Sequence, residues 1–405
     1  MSIEHSKELM NLAADNIRIL AASMVERAKS GHPGGAMGGA DFINVLYSEF
    51  LNFDPDEATW RCRDRFFLDP GHMSPMLYSQ LALIGNYTID ELKQFRQWGS
   101  PTPGHPEVCP QRGIENTSGP LGQGHTYAVG AAITNNWTKN VPGVQAASQA
   151  SAGGIANLNM VSNNEAQVSI AISSNVLQCL NGTDSFKGHA YKDLKVIGGL
   201  YMNPNQVVVT NKSGIKTLAD VKGKHFAVAA AGSSVYNECQ NHFTTVGMKF
   251  PQDIKTELIA FGPAADMLQN GTLDGAWIMS GAPAAAVSQA LTAGCHLVDI
   301  DDKTIAALQA KYPWYAKYTI PAKTYPNQDK DVQTSAIKMV MFCRHDLSED
   351  TVYQLTKSFW EHIDELGKAQ KNLKGLKPAD AVKDIANLPL HPGAAKYYKE
   401  IGVIK

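Results

Sequence analysis

The stretch from Gly119 to Ile133, Gly-Pro-Leu-Gly-Gln-Gly-His-Thr-Tyr-Ala-Val-Gly-Ala-Ala-Ile, constrains this chain more than any other. Gly119, Gly122 and Gly124 let the backbone bend tightly and approach a bound group with no Cβ in the way. A run carrying Tyr127, Ala128, Ala131, Ala132 and Ile133 then reads as a helix. A glycine-rich turn leading into a helix N-terminus points free backbone N–H groups at one spot, which favours an anion. The same pattern also serves as a plain tight connection. The chain changes character here: one organisation precedes the stretch and another follows it.

With 405 residues, 44% apolar and 18% charged, the chain has the composition of an ordinary globular protein of more than one domain. A net charge of −2 offers no basic field for nucleic acid or an acidic membrane. No apolar run is long enough to span a bilayer. The apolar segment Ile17 to Val25 carries charges at helical spacing and reads as an amphipathic helix, not a signal peptide. As written, the chain is expected to stay in the cytoplasm. Cys62, Cys109, Cys179, Cys239, Cys295 and Cys343 are widely spaced, with no Cys-x-x-Cys pair and no His-Glu-x-x-His. Free buried thiols are therefore expected, and no metal site.

In the first part, residues 8–28 hold apolar side chains at 3.6 periodicity and predict a helix, closed by a turn at Ser30-Gly31-His32-Pro33-Gly34-Gly35. Further helices are predicted near 40–51 and 75–84. Arg65-Phe66-Phe67-Leu68-Asp69 predicts a short buried strand feeding the loop Pro70-Gly71-His72-Met73-Ser74, the kind of strand end where α/β sheets bind ligands. His32, His72 and His105 each stand beside glycine in a loop. One loop histidine is ordinarily a surface residue. Three so placed favour a shared polar pocket.

Ser30-Gly31-His32-Pro33-Gly34, Arg63-Asp64-Arg65-Phe66, Gly71-His72-Met73-Ser74, Phe95-Arg96-Gln97-Trp98-Gly99-Ser100, Thr102-Pro103-Gly104-His105-Pro106-Glu107 and Gly119-Pro120-Leu121-Gly122-Gln123-Gly124 occur in this order. This series resembles transketolase over residues 1–133. The resemblance implies that His32 and His105 line a sugar-phosphate channel and that His72 contacts the diphosphate of thiamine diphosphate. It also implies that Gly119 and Leu121 touch that cofactor. It then stops: the Gly-Asp-Gly motif that helps hold Mg²⁺ occurs nowhere in the chain, and the domain that supplies the activating Glu is absent. No cofactor is therefore expected. Thiamine diphosphate and Mg²⁺ belong only to the alternative reading. Residues 1–113 are read as a fragment parted from its fold, one that exposes apolar helix faces, orders poorly, or docks, self-association included.

After Ile133 the chain alternates. Strands are predicted at 145–149, 168–172, 206–210, 225–229, 258–260, 275–279 and 336–342, and helices at 154–163, 233–246, 263–270, 282–293 and 350–368. The alternation implies an α/β fold with largely parallel sheets. Ser173-Ser174-Asn175, Ala231-Gly232-Ser233-Ser234 and Ser280-Gly281-Ala282-Pro283 each end a strand and open a helix. Plain capping accounts for any one of them. Several converging N-termini make a carboxylate or phosphate site from backbone N–H groups.

The run Ser213 to Ser233 resembles the opening of the second lobe in two-lobed solute-binding proteins. Lys139-Asn140-Val141-Pro142-Gly143-Val144, Gly153-Gly154-Ile155-Ala156-Asn157-Leu158, Ile320-Pro321-Ala322-Lys323-Thr324-Tyr325-Pro326 and Leu390-His391-Pro392-Gly393-Ala394-Ala395-Lys396-Tyr397-Tyr398 extend the likeness. Residues 134–405 thus resemble the TAXI family of solute-binding proteins, which serve TRAP transporters. The resemblance implies a type II periplasmic-binding-protein fold, with lobe one at 114–209 plus 334–405 and lobe two at 210–333. The lobes close on a ligand by hinge motion. Family ligands are small organic anions such as glutamate, the partners are TRAP membrane subunits, and the family is periplasmic. The expected ligand-binding residues are Tyr127, Ser151, Ser173, Asn175, Gly232, Ser233, Ser234, Ser280 and Pro283. Three readings follow: a solute-binding protein carrying a non-catalytic transketolase fragment, a partial transketolase, or a fusion without evolved function.

Overall fold

The computed structural model describes residues 6–60, 63–117, 124–149, 154–230 and 233–405, with only the backbone at 124–126. It divides into two compact units, Met1–Ala128 and Val129–Lys405.

The first unit is helical. Helices α1 (Lys7–Ala28), α2 (Pro33–Gly38), α3 (Ala40–Val45), α4 (Ser74–Leu83) and α5 (Ile89–Leu92) bring Ile17, Ala21, Ile43, Met76, Leu77 and Phe95 into one core. Ser6 caps α1 by accepting from the Leu9 N–H at 3.2 Å, and Thr88 and Glu91 form a capping box on α5. Leu9, Leu12, Ile19, Phe42 and Phe50 remain exposed. The strand predicted at Arg65–Asp69 is not formed; this segment is irregular. The Asn116 side chain substitutes for a neighbouring strand: its Oδ1 accepts from the Leu68 N–H at 3.1 Å and its Nδ2 donates to the Leu68 carbonyl at 3.2 Å. One buried amide satisfies both peptide groups, so no ladder is needed.

Helix α6 (Gly124–Asn140) contains the division between the units. The second unit continues with helices α7 (Gly154–Ser162), α8 (Ser173–Asn181), α9 (Ser234–Thr245), α10 (Phe261–Gln269), α11 (Ala285–Thr292), α12 (Asp302–Lys311), α13 (Glu349–Glu361), α14 (Ile363–Ala369) and α15 (Pro392–Glu400). Its strands are β1 (Val168–Ile172), β2 (Leu194–Thr210), β3 (His225–Ala227), β4 (Lys255–Glu257), β5 (Gly275–Met279), β6 (Cys295–Val298), β7 (Tyr315–Ile320) and β8 (Val332–Arg344). Strand order is β1-β8-β2-β5-β3-β4, with β6 also on β2 and β7 also on β8.

Two long strands organise this unit. Residues 194–204 of β2 pair with β8, whereas 205–209 pair with β5. Strand β8 starts with Val332 in the core under the second group of strands and continues into Ile337, Val340 and Phe342 of the first core. The result is a two-lobed α/β fold. In the second lobe the alternation of side chains sorts the two faces: Val207, Val209, Phe226 and Trp277 pack with Cys239 and Phe243 of α9, while Val208, Ala227, Ala276 and Ile278 pack with α10 and α11.

The sheets are not largely parallel. Only β3–β4 and β3–β5 pair in parallel among the described strands; the pairs of β2 and β8 are antiparallel. The chain goes out along β2 and returns along β8, so the two must run in opposite directions. The strand predicted at 145–149 is also missing. The Thr138 hydroxyl accepts from the Ala146 N–H at 3.0 Å and donates to the Ala146 carbonyl at 3.2 Å, which pins that segment to α6.

Candidate functional site

Helix α8 begins at Ser173, directly after the last residue of β1, with no intervening loop. Its N-cap is Ile172, which offers no side-chain cap, so the first turn leaves backbone N–H groups without an intrahelical acceptor. Ser173 and Ser174 are 0% and 1% exposed, and neither hydroxyl has a hydrogen-bond partner among the described residues. Buried hydroxyls without partners are costly in a folded chain and are uncommon outside sites completed by another molecule.

Asn175, also buried, is the meeting point. Its Oδ1 accepts from the Ser234 hydroxyl at 2.8 Å, and its Nδ2 donates to Gln178 Oε1 at 3.1 Å. Ser234 is the first residue of α9. A Cβ added at Gly154, the first residue of α7, would lie 3.4 Å from the same Asn175 oxygen and 3.5 Å from the Ala171 Cβ. Asn157 of α7 donates to the Ile170 carbonyl of β1 at 2.7 Å, which fixes this approach. Three helix N-termini therefore converge on Asn175. Their partial positive ends add at one place.

The loop after β5 is held differently. The Ser280 carbonyl accepts from Gln206 Nε2 at 3.1 Å, and the Ala284 N–H donates to the Tyr325 hydroxyl at 2.9 Å. The Tyr325 hydroxyl donates in turn to Gln206 Oε1, so one Gln–Tyr pair grips both ends of the loop that contains Pro283. The Ser280 hydroxyl is buried without a partner among the described residues. A Cβ on Gly281 would approach the Asn372 side chain at 3.5 Å, which brings this loop beside a residue of the first lobe's C-terminal segment.

Of the predicted ligand residues, Ser173, Asn175 and Ser234 are thus gathered together. Ser233 is occupied as the α9 cap: its hydroxyl accepts from the Tyr236 N–H at 3.1 Å and donates to the Ala230 carbonyl at 2.7 Å. Ser280 and Pro283 share the loop just described. Tyr127 belongs to the first unit, where burial and then the Asp69 charge hold its phenol above the ordinary range. Ser151 and Gly232 lie outside the described residues, as do Gly119 and Leu121. Ser174, Gln178 and Asn372 were missed as individual site residues. Ser174 was visible as a small polar residue opening a helix, whereas Asn372 carries no local signal.

In the first unit the three histidines do share one place. The rings of His32 and His72 stand 4.9 Å apart. His105 is held below its ordinary range by burial, then by the charges of Arg96 and His32. Its loop is anchored by Ser74, whose hydroxyl donates to the Gly104 carbonyl at 2.7 Å, and by Tyr78, which donates to the Pro103 carbonyl at 3.0 Å. Arg96 donates to the Ser30 hydroxyl at 2.8 Å. The cluster is basic. Among the described residues no group of three or more His, Cys, Asp or Glu could hold a metal ion. Imidazole and guanidinium N–H groups here can donate to phosphate oxygens, but these side chains supply no oxygen ligand for Mg²⁺.

Known proteins divide in the same way. Residues 9–149 match the transketolase thiamine diphosphate binding domain, and residues 118–402 match the NMT1-like family. Both matches include α6. The transketolase of Staphylococcus epidermidis is 50% identical over 125 residues, and that of Geobacillus stearothermophilus is 52% identical over 130 residues. The chain spans 19% of the length of these relatives. Among solved structures, a Pichia stipitis transketolase is 44% identical over 31% of this chain and 19% of its own, with a TM-score of 0.30. The periplasmic aliphatic sulphonate binding protein SsuA of Escherichia coli is 16% identical over 67% of this chain and 79% of its own, with a TM-score of 0.38. The arginine-, lysine-, histidine-binding protein ArtJ of Geobacillus stearothermophilus is 13% identical over 63% and 87%, with a TM-score of 0.37. Among the described residues no helix is long and apolar enough to cross a membrane. With its match over residues 118–402, the chain belongs to the NMT1-like family and carries transketolase-like sequence ahead of it.

Proposed function

We propose that this protein is a TAXI-type solute-binding protein that takes a small organic anion such as glutamate into the cleft of its second unit. If exported, it acts in the periplasm, as the family it resembles does, and delivers the ligand to the membrane subunits of a TRAP transporter. The observation that carries this reading is the convergence of three helix N-termini on Asn175, next to two buried serine hydroxyls that lack partners among the described residues. An anion there accepts from backbone N–H groups and serine hydroxyls, and needs no Lys or Arg partner.

Calorimetric titration of the whole chain with L-glutamate tests it. Saturable heat is the expected result; no heat and no thermal shift with any small carboxylate overturns the reading. Asn175→Ala removes the oxygen that receives Ser234 and is expected to weaken binding about tenfold or more, as the loss of about one buried hydrogen bond at the closing contact. Unchanged affinity in that variant counts against a site at this position.

In the same reading the first unit is a non-catalytic transketolase fragment. The grouping of His32, His72 and His105 is the observation that favours a partial transketolase instead. Titration with thiamine diphosphate and Mg²⁺ separates the two. We expect no saturable binding; binding that requires His72 would favour the enzyme.

A further inference from the structure

Tyr201 of β2 is 7% exposed, and its hydroxyl has no hydrogen-bond partner among the described residues. A buried phenol without an acceptor costs stability that a phenylalanine in the same place would not. The Ser173 and Ser174 hydroxyls stand in the same condition. The sheet register brings all three to one place.

Strand β8 fixes the position of Tyr201. Gly199 of β2 stands opposite Val340, Met202 opposite Lys338 and Asn203 opposite Ile337, so Leu200 and Tyr201 together face Met339. The extra residue in β2 is a bulge, a device that re-aims a side chain and is common beside active sites. On the other edge of β8, Ile172 of β1 also stands opposite Met339, and Tyr315 of β7 stands opposite Ile337. Opposite residues of an antiparallel pair share a face, and every second residue along a strand returns to it. Tyr201, Met339 and Ile172 therefore share one face of the sheet, with Ile337 and Ser335 next along it. Ser173 and Ser174 follow Ile172 directly as the first residues of α8.

Helix α9 lies along this face. Ser234, Glu238 and His242 recur at every fourth residue and form one stripe of the helix. His242 Nε2 stands 2.6 Å from the Ser335 hydroxyl, and one turn back Glu238 accepts from the hydroxyl of Tyr315, opposite Ile337. Two residues of a strand cover about 6.8 Å and four residues of a helix about 6 Å, so the two rows keep step. One further step takes β8 to Met339 and α9 to Ser234, whose hydroxyl reaches Asn175 at 2.8 Å. Val235, the next residue of α9, packs against the cluster that holds Tyr201 and Ile172, in agreement with this placement. Tyr201 thus stands on the sheet floor beside the N-termini of α8 and α9.

We infer that Tyr201 is a ligand-binding residue: its phenol hydroxyl donates to a carboxylate oxygen of the bound anion, from the sheet floor beside the first turns of α8 and α9. This inference rests on the ligand-binding reading above. Burial alone raises the phenol above its ordinary range, so it keeps its proton and donates. Its ring is held in the first lobe's core, which limits where the hydroxyl can point. With the Ser173 and Ser174 hydroxyls it supplies three uncharged donors, and the backbone N–H groups of the first helical turns add to them. A carboxylate, with two oxygens and about four lone-pair sites, can receive them together. No covalent bond changes and no proton is transferred.

The test is Tyr201→Phe, which removes one oxygen and keeps the ring. Calorimetric titration of the whole chain with L-glutamate and with succinate reads affinity, and circular-dichroism melts of the ligand-free chain read stability. The variant should bind whichever carboxylate the wild type binds about tenfold or more weakly, because a hydrogen bond to a charged group is lost. Its ligand-free melting temperature should equal or exceed that of the wild type, because the hydroxyl has no partner among the described residues to lose. A purely structural hydroxyl gives the reverse, a lower melting temperature and unchanged affinity. Either half of that reverse result, with a wild type that binds, overturns the role of Tyr201 and leaves the binding reading intact. No heat from the wild type with either carboxylate overturns the binding reading and this inference with it.

Discussion

Gly393→Ala is expected to unfold the second unit near body temperature. A Cβ at Gly393 would lie 2.1 Å from the Glu349 carbonyl oxygen and 2.7 Å from the Tyr353 nitrogen. Both are backbone atoms of α13, so no rotamer change relieves the overlap and one helix must move off the other. Helix α15 cannot shift freely. Its Tyr398 hydroxyl accepts from the Trp360 N–H at 2.9 Å and stands 2.3 Å from where a Gly198 Cβ would be. The motion therefore reaches β2 and the first lobe's core, where Tyr398, Phe359 and Val196 pack. We expect a loss on the order of 4 kcal/mol or more, the range of severe core overpacking. Circular-dichroism melts check this; a transition within about 3 °C of wild type would mean the helices slide apart more easily than their packing indicates.

The second large effect falls in the first unit. Arg63 Nε donates to Glu115 Oε1 at 2.7 Å, with the side chains 9% and 8% exposed. Arg63 also donates to the Trp60 carbonyl at 2.9 Å. Glu115 lies between Ile114, which belongs to the core, and Asn116, which holds Leu68. Removing either charge leaves the other buried alone, which typically costs about 3–5 kcal/mol. Arg63→Ala and Glu115→Ala should therefore each abolish protection of the first unit in hydrogen exchange while the second unit keeps its own. A double substitution by Met, which fills the volume without charge, should recover most of the loss. Unchanged protection in both single variants would show that the pair is solvated in solution.

Much of the architecture was legible because local rules carry it. Strand β5 ran over the predicted residues, 275–279, because a short apolar run bounded by turn residues leaves few alternatives. The cap of α9 announced itself as a small polar residue, Ser233, after a strand, whereas α8 opens on Ser173 with no side-chain cap. The histidines of the first unit were legible as a group because glycine and proline hold each one in a loop. What was missed depends on partners far away in sequence. The first half of β2 contains Gly198 and Gly199, which argue against a strand. The structure requires glycine there, because the Tyr398 hydroxyl and the Ala381 carbonyl occupy the space of their Cβ atoms. Strand β6 carries an exposed His296, and β7 exposed Lys317 and Thr319, polar positions that dilute a short strand's apolar signal. Register and direction were not legible at all, which is how mostly antiparallel sheets came to be predicted as parallel. The same holds for side chains that join the two long strands: Asn205 of β2 and Ser335 of β8 meet across 130 residues of sequence.

The pairing of β2 with β8 ends at Pro204 opposite Ala336, and the pairing with β5 begins at the very next residue, Asn205 opposite Met279. A doubled ribbon attached at both edges resists torsion and sideways slip, yet flexes out of its own plane. In the proposed solute-binding reading this is the pivot: short, with long lever arms, so a small change in backbone angle there becomes a wide excursion at the rim. In that reading a substitution that stiffens it should slow capture and release alike without touching the ligand.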